Sequence, residues 1–541
     1  MKIFKFRISA LSLLFALSLC ACGAGINPIE GSNGSGNGNQ NPVTLAAPVV
    51  TQVPNSRATL TWPPVDGAEN YQSSKDGAGF ATITPNPCSQ GTCTLTVPGL
   101  STNASHSVEI RAIQGSNNAS DATSVTIDTT FKVAPYSPPV PGNEDANFGA
   151  IIVTNDINGD GYQDLAVAGR YRSDFPTTGQ VDIFFTGPNF IDANRNISVS
   201  KFIFGTVGDA HGAALSFGKV TGNAQGDLVI GQYTDATDYG KIFVFKASTL
   251  NAGTSFDSNT QRDFVIASDP DAAFARAEFG RSLAVTKLNG DGCGDIVTGA
   301  PQWVDVIASP FYLEGKVYRI GGCISSDVSA TAANEIYTGT VGEAHAGAGV
   351  WNVGDINEDG VDDVLYNKTL VNGPPASATL AFVGGADLAT FANDGDTGMM
   401  AFALGKIDGD NYNDFAVRFE TLDAFFNRGG FVYIYRGSAS GPVATPLEIF
   451  DPLQRGFGTG VAFGDIDADG QGELVIGSQT AVSIYEGPDF EDGVDATLPY
   501  GCESVQIMDA NADGYLDLVC GDVAYDPDGD GLTDGALLVL F

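Results

Sequence analysis

Positive charge is scarce in this chain. Its 541 residues carry 26 Lys and Arg against 64 Asp and Glu, a formal net charge of −38. A surface of that sign repels nucleic acid and anionic lipid, so neither is expected as a partner. Histidine is rarer still, at 3, and neither a Gly-x-Ser-x-Gly nor a His-Glu-x-x-His sequence occurs, which removes the common hydrolase signatures. Cys-x-x-Cys is absent too, so the cysteines do not read as a zinc or dithiol site. Only one apolar run is long enough to notice, Ile8 to Leu19, and it falls short of the roughly 20 residues needed to span a bilayer. Against these shortages stand 68 glycines and 10% aromatic residues, which point to many tight turns between short strands around a well-supplied core.

Lys2, Lys5 and Arg7 precede the apolar run, giving the charge order of an export signal. It ends Leu19-Cys20-Ala21-Cys22-Gly23, which resembles the lipobox of bacterial lipoproteins with small Ala21 before the modified cysteine. The resemblance implies a signal over 1–21 and lipidation at Cys22, with Gly23 directing the protein to the outer membrane or cell surface of a Gram-negative bacterium. The alternative is an ordinary cleaved signal without lipid. Residues 22–43 are rich in Gly, Asn and Ser and read as a flexible tether.

With Cys22 set aside, six cysteines remain, an even number that suits disulfides in an exported chain. Cys88 and Cys93 bracket a short turn, and Cys502 and Cys520 fall on opposite arms of a proposed hairpin. Cys293 is left to Cys323 by elimination.

Alternating short strands fill 44–130, among them Ala58 to Trp62 and Ser107 to Ile113. The segment resembles a fibronectin type III domain through Trp62, Tyr71 and Gly99-Leu100. His106 stands where that family places a corner tyrosine, and is read as its structural substitute.

The remainder, 131–541, repeats with a period of roughly 45 to 70 residues. Four copies carry a full acidic turn: Asp156-x-Asn158-x-Asp160-Gly-x-x-Asp164, Asp355-x-Asn357-x-Asp359-Gly-x-x-Asp363, Asp465-x-Asp467-x-Asp469-Gly-x-x-Glu473 and Asp509-x-Asn511-x-Asp513-Gly-x-x-Asp517. Oxygen side chains at positions 1, 3, 5 and 9 around a glycine suit calcium, which takes six to eight hard oxygens. An EF-hand would need an acid at position 12 and flanking helices. Position 12 is instead Val167, Tyr366, Ile476 or Cys520 inside β-like runs, so the turn joins two strands. Three further copies begin with Lys219, Lys287 and Lys406, whose ammonium groups are expected to neutralise the remaining oxygens from within. A separate loop, Asp526-x-Asp528-x-Asp530-x-x-x-Asp534, resembles a thrombospondin type 3 calcium loop.

Seven acidic turns, each followed by a further strand such as Gly430 to Tyr435, make seven units that cannot bury both faces alone, so radial packing is expected. Phe148-Gly149, Phe217-Gly218, Phe279-Gly280 and Phe457-Gly458 precede the turns, and Thr298-Gly-Ala-Pro301 follows one. Together these resemble the FG-GAP repeat of the integrin α-subunit propeller. The resemblance implies an all-β fold: a seven-bladed β-propeller preceded by a fibronectin type III-like β-sandwich. Thr130 to Ala134 would supply the missing outer strand of the seventh blade.

It also implies a binding module rather than an enzyme, with structural calcium on one face and a protein or glycan on the other. Two apolar connections lie on that second face, one holding Trp303, Phe311 and Tyr312 and the other Phe425 and Phe426. They either recognise a ligand, plug the central channel or cover a blade. His211 and His345 recur at one repeat position and read as structural. The competing readings are a propeller-based polysaccharide lyase or hydrolase with an unrecognised site, and a purely structural envelope protein.

Overall fold

The computed structural model describes residues 45–541 apart from 53–57, 90, 98–99, 101–104, 115–117, 130, 138–147, 170–178, 206–208, 224, 235–238, 269–276, 304–313, 340–344, 372–375, 384–386, 394–398, 423–427, 452–453, 468–469, 488–489, 491–492 and 527–534. The fold is all-β; among the described residues the only α-helix is Ala247–Ala252, and no helix is long and apolar enough to cross a membrane.

The N-terminal part folds as two sheets. Ala58–Trp62 pairs with Thr92–Val97 in one, and Asn70–Lys75 with Ser105–Gln114 in the other. Inward residues alternate along each strand, as a half-buried sheet requires. Leu60, Trp62 and Val97 meet Tyr71, Val108 and Ile110 in one shared core. Trp62 packs edge-on to Tyr71 at 5.6 Å, and the Tyr71 hydroxyl accepts the Val65 amide. His106, at the start of its strand, contacts Asp76 Oδ2 through Nδ1 at 2.8 Å, while the neighbouring Ser107 amide donates to Asp76 Oδ1.

Seven further sheets, antiparallel apart from one added edge strand in each of the first two, run over residues 133–540 among the described residues. Their first strands touch in cyclic order: Ile151–Asn155, Asp209–Gly218, Leu283–Thr286, Val350–Gly354, Met400–Gly405, Gly460–Gly464, Ser504–Met508, and back to Ile151–Asn155. The ring therefore closes, as in a β-propeller. Closure uses Val133–Tyr136, which pairs with Ala536–Leu540 as the outer strand of sheet seven. Reciprocal bonds between Lys132 and Phe541 extend that ladder. All three disulfides form: Cys88–Cys93, Cys293–Cys323 and Cys502–Cys520.

Neighbouring sheets meet backbone to backbone at glycines. A methyl group built on Gly231, Gly299 or Gly521 would run into the carbonyl of Gly280, Gly347 or Gly149 in the next sheet, and one on Gly477 into Cys502. Likewise the glycine opening a third strand (Gly179, Gly240, Gly315, Gly430, Gly535) lies against the residue that begins the next sheet: His211, Phe279, Ala346, Phe457 or Phe148.

That register corrects one expectation. Phe217-Gly218 does not hold the Phe-Gly position of sheet two: it ends the strand Asp209–Gly218, where Phe217 pairs with Leu228. The equivalent pair is His211-Gly212, with Gly212 at φ 82°, as Gly149 has φ 91° and Gly280 φ 86°. His345 sits one residue ahead of its counterpart, since Ala346 makes the parallel bridge to Gly315 that Phe148 makes to Gly535. His211 is fully buried, with Nδ1 3.1 Å from Gln232 Oε1 and its ring against Phe243.

Two outcomes follow. Gly299→Ala forces adjacent backbones apart and should cost about 1–3 kcal/mol in denaturant unfolding, whereas Gly290→Ala, which meets nothing within 4 Å, should be near neutral. Burial lowers the His211 imidazole to about 4, so the folded state refuses a proton that the unfolded chain accepts below its ordinary value. The stabilisation is complete above pH ~6.5 and lost as pH falls toward ~4, on the order of 3 kcal/mol. His211→Phe should remove that part of the acid slope, measured as the difference between wild type and variant unfolding curves.

Candidate metal-binding turns

All seven acidic turns occupy the same place, joining the first strand of a sheet to the second, so they lie together at one end of the ring. An apolar residue at position 2 anchors each. Ile157, Val220, Ile356, Ile407, Ile466 and Ala510 are buried, and Leu288 is partly so. Position 9 opens the second strand with its carboxyl turned inward. Asp164, Asp227, Asp295 and Asp414 are fully buried, and Glu473 and Asp517 nearly so. Asp164, Asp414, Glu473 and Asp517 accept the position-2 amides of Ile157, Ile407, Ile466 and Ala510, and the half-buried Asp363 accepts that of Ile356.

In the Asp-led turns the remaining oxygens bend the backbone around a common centre. Asp156 Oδ2 accepts from Gly161, Asp355 Oδ2 from Gly360, Asp465 Oδ2 from Gly470 and Asp509 Oδ2 from Gly514. Those glycines have φ between 86° and 95°, a region that disfavours a side chain. Asn158, Asn357 and Asn511 accept from the position-5 amide, and Asp160, Asp359 and Asp513 from position 7. Asp469 and the loop residues Asp528, Asp530 and Asp534 lie outside the described residues, with Asp526 at their edge.

The donor set fits a hard divalent cation. Carboxylate oxygens of Asp465, Asp467 and Glu473 lie within 4.8 Å of one another. Burial pushes Asp164 up to about 7, with Asp160 adding like-charge repulsion. Asp517 is likewise pushed up to about 7 by burial, with Asp513 and Asp509 adding to it. Residues 1, 3, 5 and 9 of the four Asp-led turns would hold calcium, whose charge would relieve this crowding.

The Lys-led turns differ from expectation. Lys219, Lys287 and Lys406 are exposed rather than turned inward, and Lys406 Nζ points to Glu358 of the neighbouring turn at 3.4 Å. A lysine at position 1 leaves the tight turn for solvent because its stem is longer than the aspartate it replaces.

The apolar connections at the opposite end are only partly described. Trp303 is half-buried against the core between sheets two and three, with Lys316 Nζ 3.8 Å from its ring centroid, so it covers the sheet rather than standing free. Phe311, Tyr312, Phe425 and Phe426 lie outside the described residues. Phe419, ahead of that second connection, belongs to the strand Asp414–Leu422. There it stacks on Phe431 at 5.2 Å, and Phe431 stacks on the exposed Phe450 at 4.1 Å. Sequence patterning hid this stack because each of its three rings sits on a different strand, where it looks like ordinary β alternation.

Comparison with known proteins agrees with this geometry. The FG-GAP repeat family matches residues 279–318, which run from Phe279-Gly280 through the Lys287 turn into the third strand of sheet three. Integrin alpha pat-2 of Caenorhabditis briggsae is 27% identical over 261 residues, 42% of this chain and 20% of that protein. Integrin alpha-V of Gallus gallus is 27% identical over 242 residues, 41% of this chain and 22% of that one. Integrin alpha-PS2 of Drosophila melanogaster is 27% identical over 216 residues, covering 38% and 12%. The matches thus span only about a fifth or less of these relatives. A solved structure described as the Dos1 propeller aligns over 80% of this chain and 88% of its own, with 9% identity and a TM-score of 0.38. The chain carries an FG-GAP repeat and resembles integrin α subunits across roughly two fifths of its length.

The buried carboxyls set a pH dependence in chelator. A folded-state value of about 7 for Asp164 means that the folded state holds a proton the unfolded chain releases near 4. Stability from this group is present below pH ~4 and lost as pH rises to ~7, on the order of 4 kcal/mol. Asp164→Asn should flatten that decline, read as the difference between wild-type and variant urea unfolding at each pH.

Proposed function

We propose that this chain is a seven-bladed, calcium-stabilised FG-GAP propeller that serves as a ligand-binding module for a protein or glycan in the bacterial envelope. The observation that carries the reading is the closed ring of seven sheets with every acidic turn at one end. The similarity to integrin α subunits supports a binding rather than a catalytic role. In this reading calcium ties the first two strands of an Asp-led sheet together and offsets buried carboxylates. Ligand binds at the opposite end of the ring, the end at which second strands lead into third strands.

The N-terminal sandwich, residues 44–130, is a fibronectin type III-like spacer in the same proposal. Cys22 carries lipid, and the tether over 22–43 holds the folded part off the outer membrane. The membrane contact is through that anchor alone.

The test is a calcium-dependent binding assay on the folded chain from residue 44 onward, using a glycan array and a panel of immobilised extracellular and envelope proteins. Expected is saturable binding to one ligand class, together with a thermal midpoint that falls in chelator and returns with calcium. Binding to none of the probes, or turnover of an arrayed polysaccharide, overturns the binding-module reading. Loss of radiolabelled palmitate in Cys22→Ser checks the anchor separately.

A further inference from the structure

The three Lys-led turns are chemically unlike the four Asp-led ones in a second place, far from position 1 in sequence. The third strand of each sheet ends beside the position-9 carboxylate. In the ladders of sheets one, six and seven the last pairs are Leu165 with Phe184, Leu474 with Tyr485 and Leu518 with Leu540. The next residues, opposite Asp164, Glu473 and Asp517, are therefore Phe185, Glu486 and Phe541. In sheet four that stretch reads Phe382-Val383-Gly384-Gly385. None of these is basic.

In the Lys-led sheets a basic residue stands at that end of the third strand or two residues before it. Leu228 pairs with Phe245 and Phe415 with Tyr435, which sets Lys246 opposite Asp227 and Arg436 opposite Asp414. In sheet three Arg319 stands on the strand Lys316–Ile320 and its guanidinium meets the fully buried Asp295 at 2.8 Å. Arg436 Nε lies 3.7 Å from Asp408, the position-3 acid of its turn. Burial raises the Asp227 carboxyl, and the amide and hydroxyl of Thr221 together with the charge of Lys246 offset part of that rise. Sheet three adds a covalent lock: Cys293, at position 7 of the turn, is disulfide-bonded to Cys323 just past the third strand. That bond consumes both thiols of the Asp291, Cys293, Cys323 group, which therefore offers a metal no thiolate.

We infer that the three Lys-led turns are closed by the protein's own cations, Lys246, Arg319 and Arg436, in the place that a metal takes in the other four. The inference rests on the calcium reading only for the four Asp-led turns. Its consequence is an uneven ring. Sheets six, seven and one form a run of metal-requiring turns across the closure seam, with sheet four standing alone, whereas sheets two, three and five hold their turns without metal.

The experiment counts bound calcium on the whole chain by native mass spectrometry and follows thermal unfolding with calcium and with chelator. Asp156→Ala and Asp509→Ala should each lower the count by one. Asp291→Ala and Asp408→Ala should leave it unchanged, and a loss of one ion in either overturns the inference. Arg319→Met strands a buried carboxylate and should lower the midpoint by several degrees, by the same amount with calcium and with chelator. A drop seen only in chelator, or rescued by calcium, would mean that the turn of sheet three takes metal and would overturn the inference. If the wild type binds no calcium, the calcium reading fails, and the Arg319→Met result still decides whether the Lys-led turns are self-neutralised. Arg319→Lys keeps the charge and should recover part of the lost midpoint.

Discussion

The ring depends on how closely neighbouring sheets can approach at their backbones. Seven twisted sheets close a circle only if each stands at the same short distance from the next, and that distance is set where Gly231, Gly299, Gly477 and Gly521 face carbonyls of the following sheet. Packing above and below these contacts is apolar and adaptable, as in the cluster of Ala416, Val432, Phe457, Val461 and Leu474 between sheets five and six. Such cores absorb exchanges of similar volume. The glycine contacts do not, because the atoms that would clash belong to the main chain. Glycine abundance in this sequence is therefore a statement about spacing as much as about turns.

Much of this was legible beforehand because the repeat writes the same requirement several times. Four Asp-led turns with glycine at position 6 identified the strand-to-strand connection, and the apolar residue at position 2 followed once its place against the core was known. The closing strand was also legible, since the seventh unit lacked an outer strand and a β-like segment stood upstream; it runs over Val133–Tyr136, slightly later than expected. What pattern reading missed was register. Phe217-Gly218 matched the motif by letter, yet the ladder assigns its role to His211-Gly212, because a dipeptide carries no information about which strand residue it opposes. Missed as well were the short strands Ser255–Asp257 and Val328–Ser329. They add in parallel to the outer edges of sheets one and two from segments that fall between the third and fourth strands of sheets two and three. Such edge additions leave no periodic trace.

The lysines show where local reasoning stops. Replacing the first aspartate by lysine looked like neutralisation in place, but a long cationic side chain gains more from water than from a tight turn. In the inference drawn above, the compensating charges arrive from the third strand, about 30 residues later in sequence, as with Lys219 and Lys246 or Lys287 and Arg319. Only the ladder brings them beside the buried acids.

The ladder between Val133–Tyr136 and Ala536–Leu540 joins segments some four hundred residues apart. A polypeptide synthesised amino end first must therefore keep the closing strand waiting while six sheets are made. Early sheets can condense on their neighbours as they appear, but the seam cannot form until the final hairpin emerges. Assembly of the ring thus becomes a checkpoint on completeness: a prematurely terminated chain is left with an unpaired edge at Val133–Tyr136, the kind of exposed strand on which aggregation starts and which quality-control proteases meet first.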